Sequence, residues 1–369
     1  MFDLYQTIPS PVEIASINVL RAGRHDFVRT TSVDGAVGIA STNGRPYLWP
    51  VLQDLIRPYF LGKDARDLES LVDGVYAYRS NYKLAGLAFW NCVSHVEFSV
   101  LDMLGQIAGK PVGNLLGTVI RSEIPIYLSS GRRDTTPEEE VAWLAERLAE
   151  TGARAVKLKI GGRMSHNADA FPGRTDRLIP LARKTFGDGI AIYVDANGSY
   201  DAEQAIEVGA LLQAHGVGFF EEPCPWEEYE QTQSVADALE MLVAGGEQDS
   251  SLPRFRWMIR NRAVDLVQPD LAYNGGFIRC LRVAKMAADA GMQVTPHCPK
   301  ADPNTAYMLH FASVVPNLGP HQEYSAAPPR GQWWAEPSFE VLDGAVAVPT
   351  SPGLGVRYDP SMWRGAQVL

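Results

Sequence analysis

Short apolar runs of strand type recur through the second half of the chain, each followed by a helical stretch. IPIYLS, AVKLKI, AIYVDA, GFFEE, LVAGGE, DLVQPD, QVTPH and PHQEYS are eight strand candidates between residues 124 and 325. Stretches such as PEEEVAWLAERLAETG, DAEQAIEVGALLQAHG and GFIRCLRVAKMAADAG separate most of them, with apolar residues at helical spacing. Strands of buried type alternating with helices imply a parallel sheet. Seven to eight such units over roughly 200 residues favour a closed (β/α) barrel of TIM type over an open sheet. Residues 161–176 (GGRMSHNADAFPGRTD) are polar and glycine-rich, and are expected to form a loop on the face that carries the strand ends.

The first third reads differently. EIASINVLRA, HDFVRTTSVDG and AVGIAS alternate with period two, and Asp34-Gly35 fits a hairpin turn. Residues 48–116 turn helical, with Asp64 and Asp67 as candidate starts and Gly109 as a candidate end. The tail carries strand-like FEVLDG and AVAVP among many Pro and Gly. The expected division is an α+β capping domain over 1–123, a barrel over 124–334 and a tail, 335–369, packing on the cap.

Composition narrows the chemistry. The chain has 369 residues, 46% hydrophobic and 21% charged, as ordinary soluble enzymes do. A formal charge of −10 argues against a nucleic-acid partner, which usually meets a basic stripe. No apolar stretch is long enough for a bilayer, and the N-terminus has no signal-peptide pattern. Cys92, Cys224, Cys280 and Cys298 are too few and too scattered for a disulfide scaffold or a zinc site, so a cytoplasmic protein with reduced thiols is expected.

Against that background three acids stand out. Asp195, Glu221 and Glu247 lie 26 residues apart, each closing a strand candidate. A carboxylate does not belong at the end of a buried strand unless something positive meets it. Three in register, one per unit, suggest a hard divalent cation, Mg²⁺ before Mn²⁺, at the carboxyl end of the barrel. Glu222 adjoins Glu221 and periodicity nearly allows either; Glu221 is taken as the ligand. The alternative is salt bridging of these acids to inward lysines.

Lys157 and Lys159 share one face of AVKLKI, opposite Val156, Leu158 and Ile160, so both are expected to point into the barrel. Mutual repulsion and desolvation are expected to lower a lysine's pKa and make it a base. Asp270 and His297 close consecutive units 27 residues apart, so that the Asp can fix the tautomer of the imidazole and raise its basicity. Glu323 follows 26 residues later, placed either to hydrogen-bond a substrate carboxylate, if protonated, or to orient His297. His166, His215 and His310 are read as surface or core residues, and Trp333-Trp334 as packing unless it walls the substrate.

KLK (157–159), VDAN (194–197), FEEP (220–223), GGE (245–247), QPD (268–270), PH (296–297) and QEY (322–324) together resemble the enolase superfamily, specifically its mandelate-racemase-like branch. The resemblance covers nearly the whole chain. It implies an enzyme in which Mg²⁺, held by Asp195, Glu221 and Glu247, stabilises an enediolate formed when a base removes the proton alpha to a carboxylate. Lys159 would be the base on one face, with Lys157 tuning it and touching the carboxylate. The His297–Asp270 dyad would act on the other face, and Glu323 would hydrogen-bond the substrate carboxylate. The sixth strand, LVQPD, lacks the lysine of the muconate-lactonising and dipeptide-epimerase branch.

A KxK pair together with a His–Asp dyad fits dehydration of a sugar acid to a 2-keto-3-deoxy acid, placed first, and racemisation or epimerisation of an α-substituted carboxylic acid, placed second. A non-catalytic binding barrel would show gaps in this set. A small carboxylate substrate and a homo-oligomer are the expected partners. Only RAGRH (21–25) separates the first two strands, where the family usually has a mobile loop. The lid is therefore sought in STNGRPY (41–47), YRSNYK (78–83) or the 161–176 loop.

Overall fold

The computed structural model describes residues 4–329, 331 and 333–369. β1 (Ile14–Ala22), β2 (His25–Ser32) and β3 (Val37–Ser41) form an antiparallel meander in register Val19 with Val28 and Thr30 with Gly38. The β2–β3 turn closes as the Asp-Gly pair predicts: Gly35, at φ +86°, donates to the Ser32 carbonyl at 3.0 Å. This sheet lies on the helix Leu87–Ala108, which is buried on nearly every side and ends at left-handed Gly109. A Cβ at Gly38 would stand 2.1 Å from the Ser99 carbonyl, so only glycine lets strand and helix approach this closely.

Eight parallel strands follow: β4 (Glu123–Ser129), β5 (Ala155–Lys159), β6 (Ala191–Asp195), β7 (Val217–Glu221), β8 (Leu242–Gly245), β9 (Leu266–Val267), β10 (Gln293–Val294) and β11 (Gln322–Ser325). They pair in chain order, β11 returns beside β4, and a bridge from Val294 to Leu318 completes the ring. Seven helices join the eight strands among the described residues, so the barrel is (β/α)₇β. The helix Pro137–Thr151 shows why they start where they do. Thr136 and Glu139 form a reciprocal capping box, Pro137 takes the first position, and three glutamates meet the positive helix end.

The barrel interior is layered. Tyr127, Ala155, Tyr193, Phe219, Ala244 and Leu266 form a separate apolar cluster inside the strands, with Tyr193 stacked on Phe219 at 4.1 Å. One step of two residues further along, the same strands present Ser129, Lys157, Asp195, Glu221 and Gln268. The period-two alternation thus sets a polar layer on an apolar plug.

The C-terminal stretch serves both units. β12 (Trp334–Glu336) pairs with β15 (Arg357–Tyr358), while β13 (Val341–Leu342) and β14 (Ala345–Ala347) add an antiparallel hairpin to the start of β4. β16 (Gln367–Val368) becomes the fourth strand of the capping sheet beside β1. Trp333 stacks on His25 at 4.2 Å and on Tyr358, so this tryptophan packs against the cap. No helix among the described residues is long and apolar enough to cross a membrane.

Candidate active site

Asp195 ends β6, Glu221 ends β7, and Glu247 follows β8 by two residues. Their carboxylate oxygens come within 4.8 Å of one another, and all three residues are buried. Glu222 is not part of that group; its Oε2 accepts from Asn197 Nδ2 at 3.3 Å. Glu222 and Asn197 both adopt left-handed backbone, at φ +41° and +43°, just beyond two of the triad acids. Such strain in non-glycine residues is typical of functional sites. It is stabilised by bonds from Asn197 N to Asp195 Oδ1 (2.7 Å) and from Gly198 N to the Glu222 carbonyl (2.8 Å).

The triad fits a hard cation. It offers oxygen donors alone, and Glu221 Oε1 is buried without a hydrogen-bond partner among the described residues. Burial and the neighbouring carboxylates push the Glu221 pKa up to about 8, a cost that a bound divalent cation would remove.

Both lysines of β5 point inward as expected, but they are not alike. Lys157 is completely buried and bridges Glu221 Oε2 at 2.6 Å and Glu323 Oε1 at 2.7 Å. Burial alone would lower its pKa, yet those two carboxylates outweigh it and hold the ammonium well above its ordinary range. The expected depression of this lysine does not occur, because its close neighbours are acids brought from β7 and β11. Lys159 sits higher, lines an open cavity, and contacts the Asp195 carboxylate and Asn197 Oδ1 (3.3 Å).

Across the ring, His297 Nδ1 meets Asp270 Oδ2 at 2.8 Å. The other Asp270 oxygen accepts from the backbone N–H groups of Ala272 (2.7 Å) and Tyr273 (2.8 Å), which fixes the carboxylate and through it the ring. His297 Nε2 faces Glu247 Oε2 at 3.2 Å. Burial would lower the imidazole's pKa, but Glu247, Glu323 and Asp270 together raise it to about 10. Glu323 accepts from Ser129 Oγ (2.7 Å) and the Cys298 N–H (2.8 Å). Burial would raise its pKa; Lys157 and His297 prevail and hold it well below the carboxylate range. In this arrangement Glu323 is an acceptor, tied to Lys157 at 2.7 Å and 3.9 Å from His297 Nε2.

A cavity of about 770 Å³ opens above this layer. The barrel lines it with Lys159, Asn197, Glu247, Asp270 and His297; the cap contributes Asn43, Gly44, Arg45, Tyr47 and His95. Of the three lid segments sought in the sequence, 41–47 covers the cavity and the 161–176 loop adds Arg163, whereas 78–83 does not line it. Arg174, fully buried, holds the 161–176 loop by donating to the carbonyls of Thr135 (2.9 Å) and Lys159 (2.8 Å).

Several site residues were not singled out from sequence. Gln268 Nε2 donates to Glu221 at 2.9 Å, and Asn197 Oδ1 accepts from Arg133 at 2.8 Å. Both lie inside motifs already noted, QPD and VDAN, and their strand-end position was the available signal. Ser129, His95 and Tyr273 carried none, and Arg133 only its place after β4.

Residues 140–362 match the enolase C-terminal domain-like family. Arabinonate dehydratase of Saccharolobus solfataricus is 28% identical over 310 residues, covering 82% of this chain and 79% of that protein. A crystal structure of a candidate racemase from Roseobacter denitrificans superposes with TM-score 0.92 at 36% identity, over 98% of this chain and 99% of the other. A mandelate racemase/muconate lactonizing protein from Paracoccus denitrificans, complexed with magnesium, gives 0.88 at 26% identity, over 97% and 99%. With the capping sheet, the closed barrel and the strand-end acids in place, the chain belongs to the enolase superfamily, in its mandelate-racemase-like branch, and is an enzyme.

Proposed function

We propose that this protein is a cytoplasmic, Mg²⁺-dependent lyase that dehydrates a sugar acid to a 2-keto-3-deoxy acid. The observation that carries the reading is the placement of two proton-transfer groups around the carboxylate triad. Lys159 on β5 and His297 beyond β10 are separated by two strands one way round the ring and by four the other, and both line the same cavity. A substrate lying between them presents opposite faces to the two groups.

Asp195, Glu221 and Glu247 would hold Mg²⁺, which when bound would neutralise the charge that builds on the substrate carboxylate as the α-proton leaves. Lys159 takes the proton from C2. His297, held by Asp270, gives a proton to the 3-hydroxyl, which departs as water, and the resulting enol ketonises to the 2-keto-3-deoxy acid. Lys157 and Glu323 lie below the cavity; their ion pair orients Glu221 from beneath. The relationship to a named arabinonate dehydratase supports this reaction class.

Racemisation is the second reading, favoured by the same two-sided geometry and by the Roseobacter denitrificans neighbour. A screen of the Mg²⁺-loaded protein against aldonic and aldaric acids, with semicarbazide detection of 2-keto acid, tests the first reading; a hit identifies the substrate and its stereochemistry. Under dehydration, Lys159→Ala abolishes deuterium exchange at the α-carbon while His297→Asn still permits it. Loss of exchange in both variants, each from the opposite enantiomer, and no keto acid from any sugar acid would replace dehydration with racemisation.

A further inference from the structure

The chain is acidic overall, yet the cavity wall is not. Arg45, Arg133, Arg163 and Lys300 all line it, and none pairs with a carboxylate among the described residues. Arg133 is committed to Asn197 Oδ1 and to the carbonyls of Gly161 and Asp195, close to Lys159. Arg45 is different. It enters from the cap, half-buried, and among the described residues its only side-chain partners are neutral: Tyr273 OH at 2.6 Å and Tyr47 OH at 3.2 Å. Its guanidinium lies over the Tyr273 ring, 4.9 Å from the centroid, and that ring is 6.2 Å from the imidazole of His297.

A guanidinium has five N–H donors. Two are used here, which leaves three for a ligand. The side chain is also preorganised. The foot of its loop is fixed by Thr42 donating to the Asp26 carbonyl (3.0 Å) and by Tyr307 OH donating to the Ser41 carbonyl (2.7 Å). A fork-shaped cation, stacked on an aromatic ring and left without a counter-charge beside the reacting layer, is a receptor for a planar anion.

Resting on the dehydratase reading, we infer that Arg45, supported by Tyr47 and Tyr273, binds a second carboxylate at the far end of the substrate, which is therefore an aldaric (dicarboxylic) sugar acid rather than an aldonic one. The reacting carboxylate belongs at the acidic triad; the distal one meets the cap. Arg45 is a specificity residue on this view and takes no part in the proton transfers.

The test compares kcat/KM for matched acids sharing stereochemistry at carbons 2 to 5, such as galactarate against galactonate and glucarate against gluconate, with Mg²⁺ present. The expected result is a preference for one dicarboxylate of about 100-fold or more, the size of a charge-assisted pair. Arg45→Gln collapses the ratio toward one, and Arg45→Lys restores part of it. Turnover of an aldonate as well as its matched aldarate overturns the inference while leaving dehydration standing. So does a loss in Arg45→Gln that scales both acids equally, the signature of a structural role. A preference for a 6-phosphoaldonate over the aldarate also overturns it, since the fork would then be receiving phosphate.

If no sugar acid yields keto acid or exchanges its α-proton, the dehydratase reading fails separately. Calorimetry with adipate against hexanoate then decides the binding claim. Tighter binding of adipate that Arg45→Gln removes supports the receptor, and equal binding refutes it.

Discussion

The two ends of the barrel interior use the same strands to opposite purposes. At the amino-terminal end Tyr127, Ala155, Tyr193, Phe219, Ala244 and Leu266 pack against one another with little polar content. Two residues further on, Lys157, Asp195, Glu221 and their neighbours place charge where a packed core would have methyl groups. Desolvating those charges is expensive, and each is compensated by a partner from another strand. The plug supplies stability, and the charged layer spends part of it on positioning. Substitutions at the two ends are accordingly expected to separate activity from folding.

The largest separation is expected for Lys159→Ala with Mg²⁺ present, so that Asp195 keeps a counter-charge: kcat falls by about 10³-fold or more, while the thermal midpoint stays within about 2 °C, about what a loss under 1 kcal/mol would produce. A steady-state assay beside a melting curve reads both; an unfolded variant would dissolve the distinction between the two ends. Phe219→Ala is the mirror experiment. It is expected to cost about 3–5 kcal/mol of stability by opening a cavity under the stacked Tyr193, with kcat of the folded fraction changed only a few-fold. Denaturant unfolding monitored by circular dichroism measures the loss.

A third effect sharpens the role of the acids. Mg²⁺ at about a hundred times its dissociation constant is expected to stabilise the fold by about 2.7 kcal/mol, and chelation to remove that gain. Glu247→Gln is expected to abolish the stabilisation. A metal response unchanged in that variant would place the cation elsewhere.

The smallest effect concerns His321, whose Nδ1 bonds Tyr193 OH at 2.9 Å at the edge of the plug. Burial lowers its pKa below the ordinary 6.5, so the folded state favours the neutral ring. An unfolded chain takes up this proton as pH drops below 6.5, and stability is lost in that direction. Comparing melting midpoints at pH 7.5 and 5.5, wild type should fall further than His321→Gln; equal falls would show that this ring does not couple to folding.

Much of this architecture was legible because barrel geometry imposes a repeat on the chain. One unit occupies about 26 residues, so Asp195, Glu221 and Glu247 announce themselves by interval, and Asp270, His297 and Glu323 continue the series. Lys157 and Lys159 could be placed on an inward face from period two alone. Their ionisation could not, because it depends on partners three-dimensionally close and sequentially remote: Glu221 lies 64 residues from Lys157, and Glu323 still further. The same limit hid Arg133, whose only mark was its place after β4, and His95, which lies within a uniformly buried helix. The strands of the β13–β14 hairpin were legible, but their place beside β4 was not, for another reason. Strands of two and three residues carry too little pattern to show which edge they join.

The short loop after β3 has a consequence beyond its contacts. Its first foot is anchored at Ser41 and Thr42 by Tyr307 from the barrel and Asp26 within the cap, and its second by Trp49 Nε1 donating to Asp26 Oδ2 at 2.8 Å. The residues between them hang over the cavity without contributing to the barrel's closure. Recognition and reactivity therefore reside on separately replaceable stretches of chain. A handful of codons spanning Asn43 to Tyr47 could be randomised to retarget the enzyme while every proton-transfer group stays in place, and natural divergence within such a lineage has the same short path open to it.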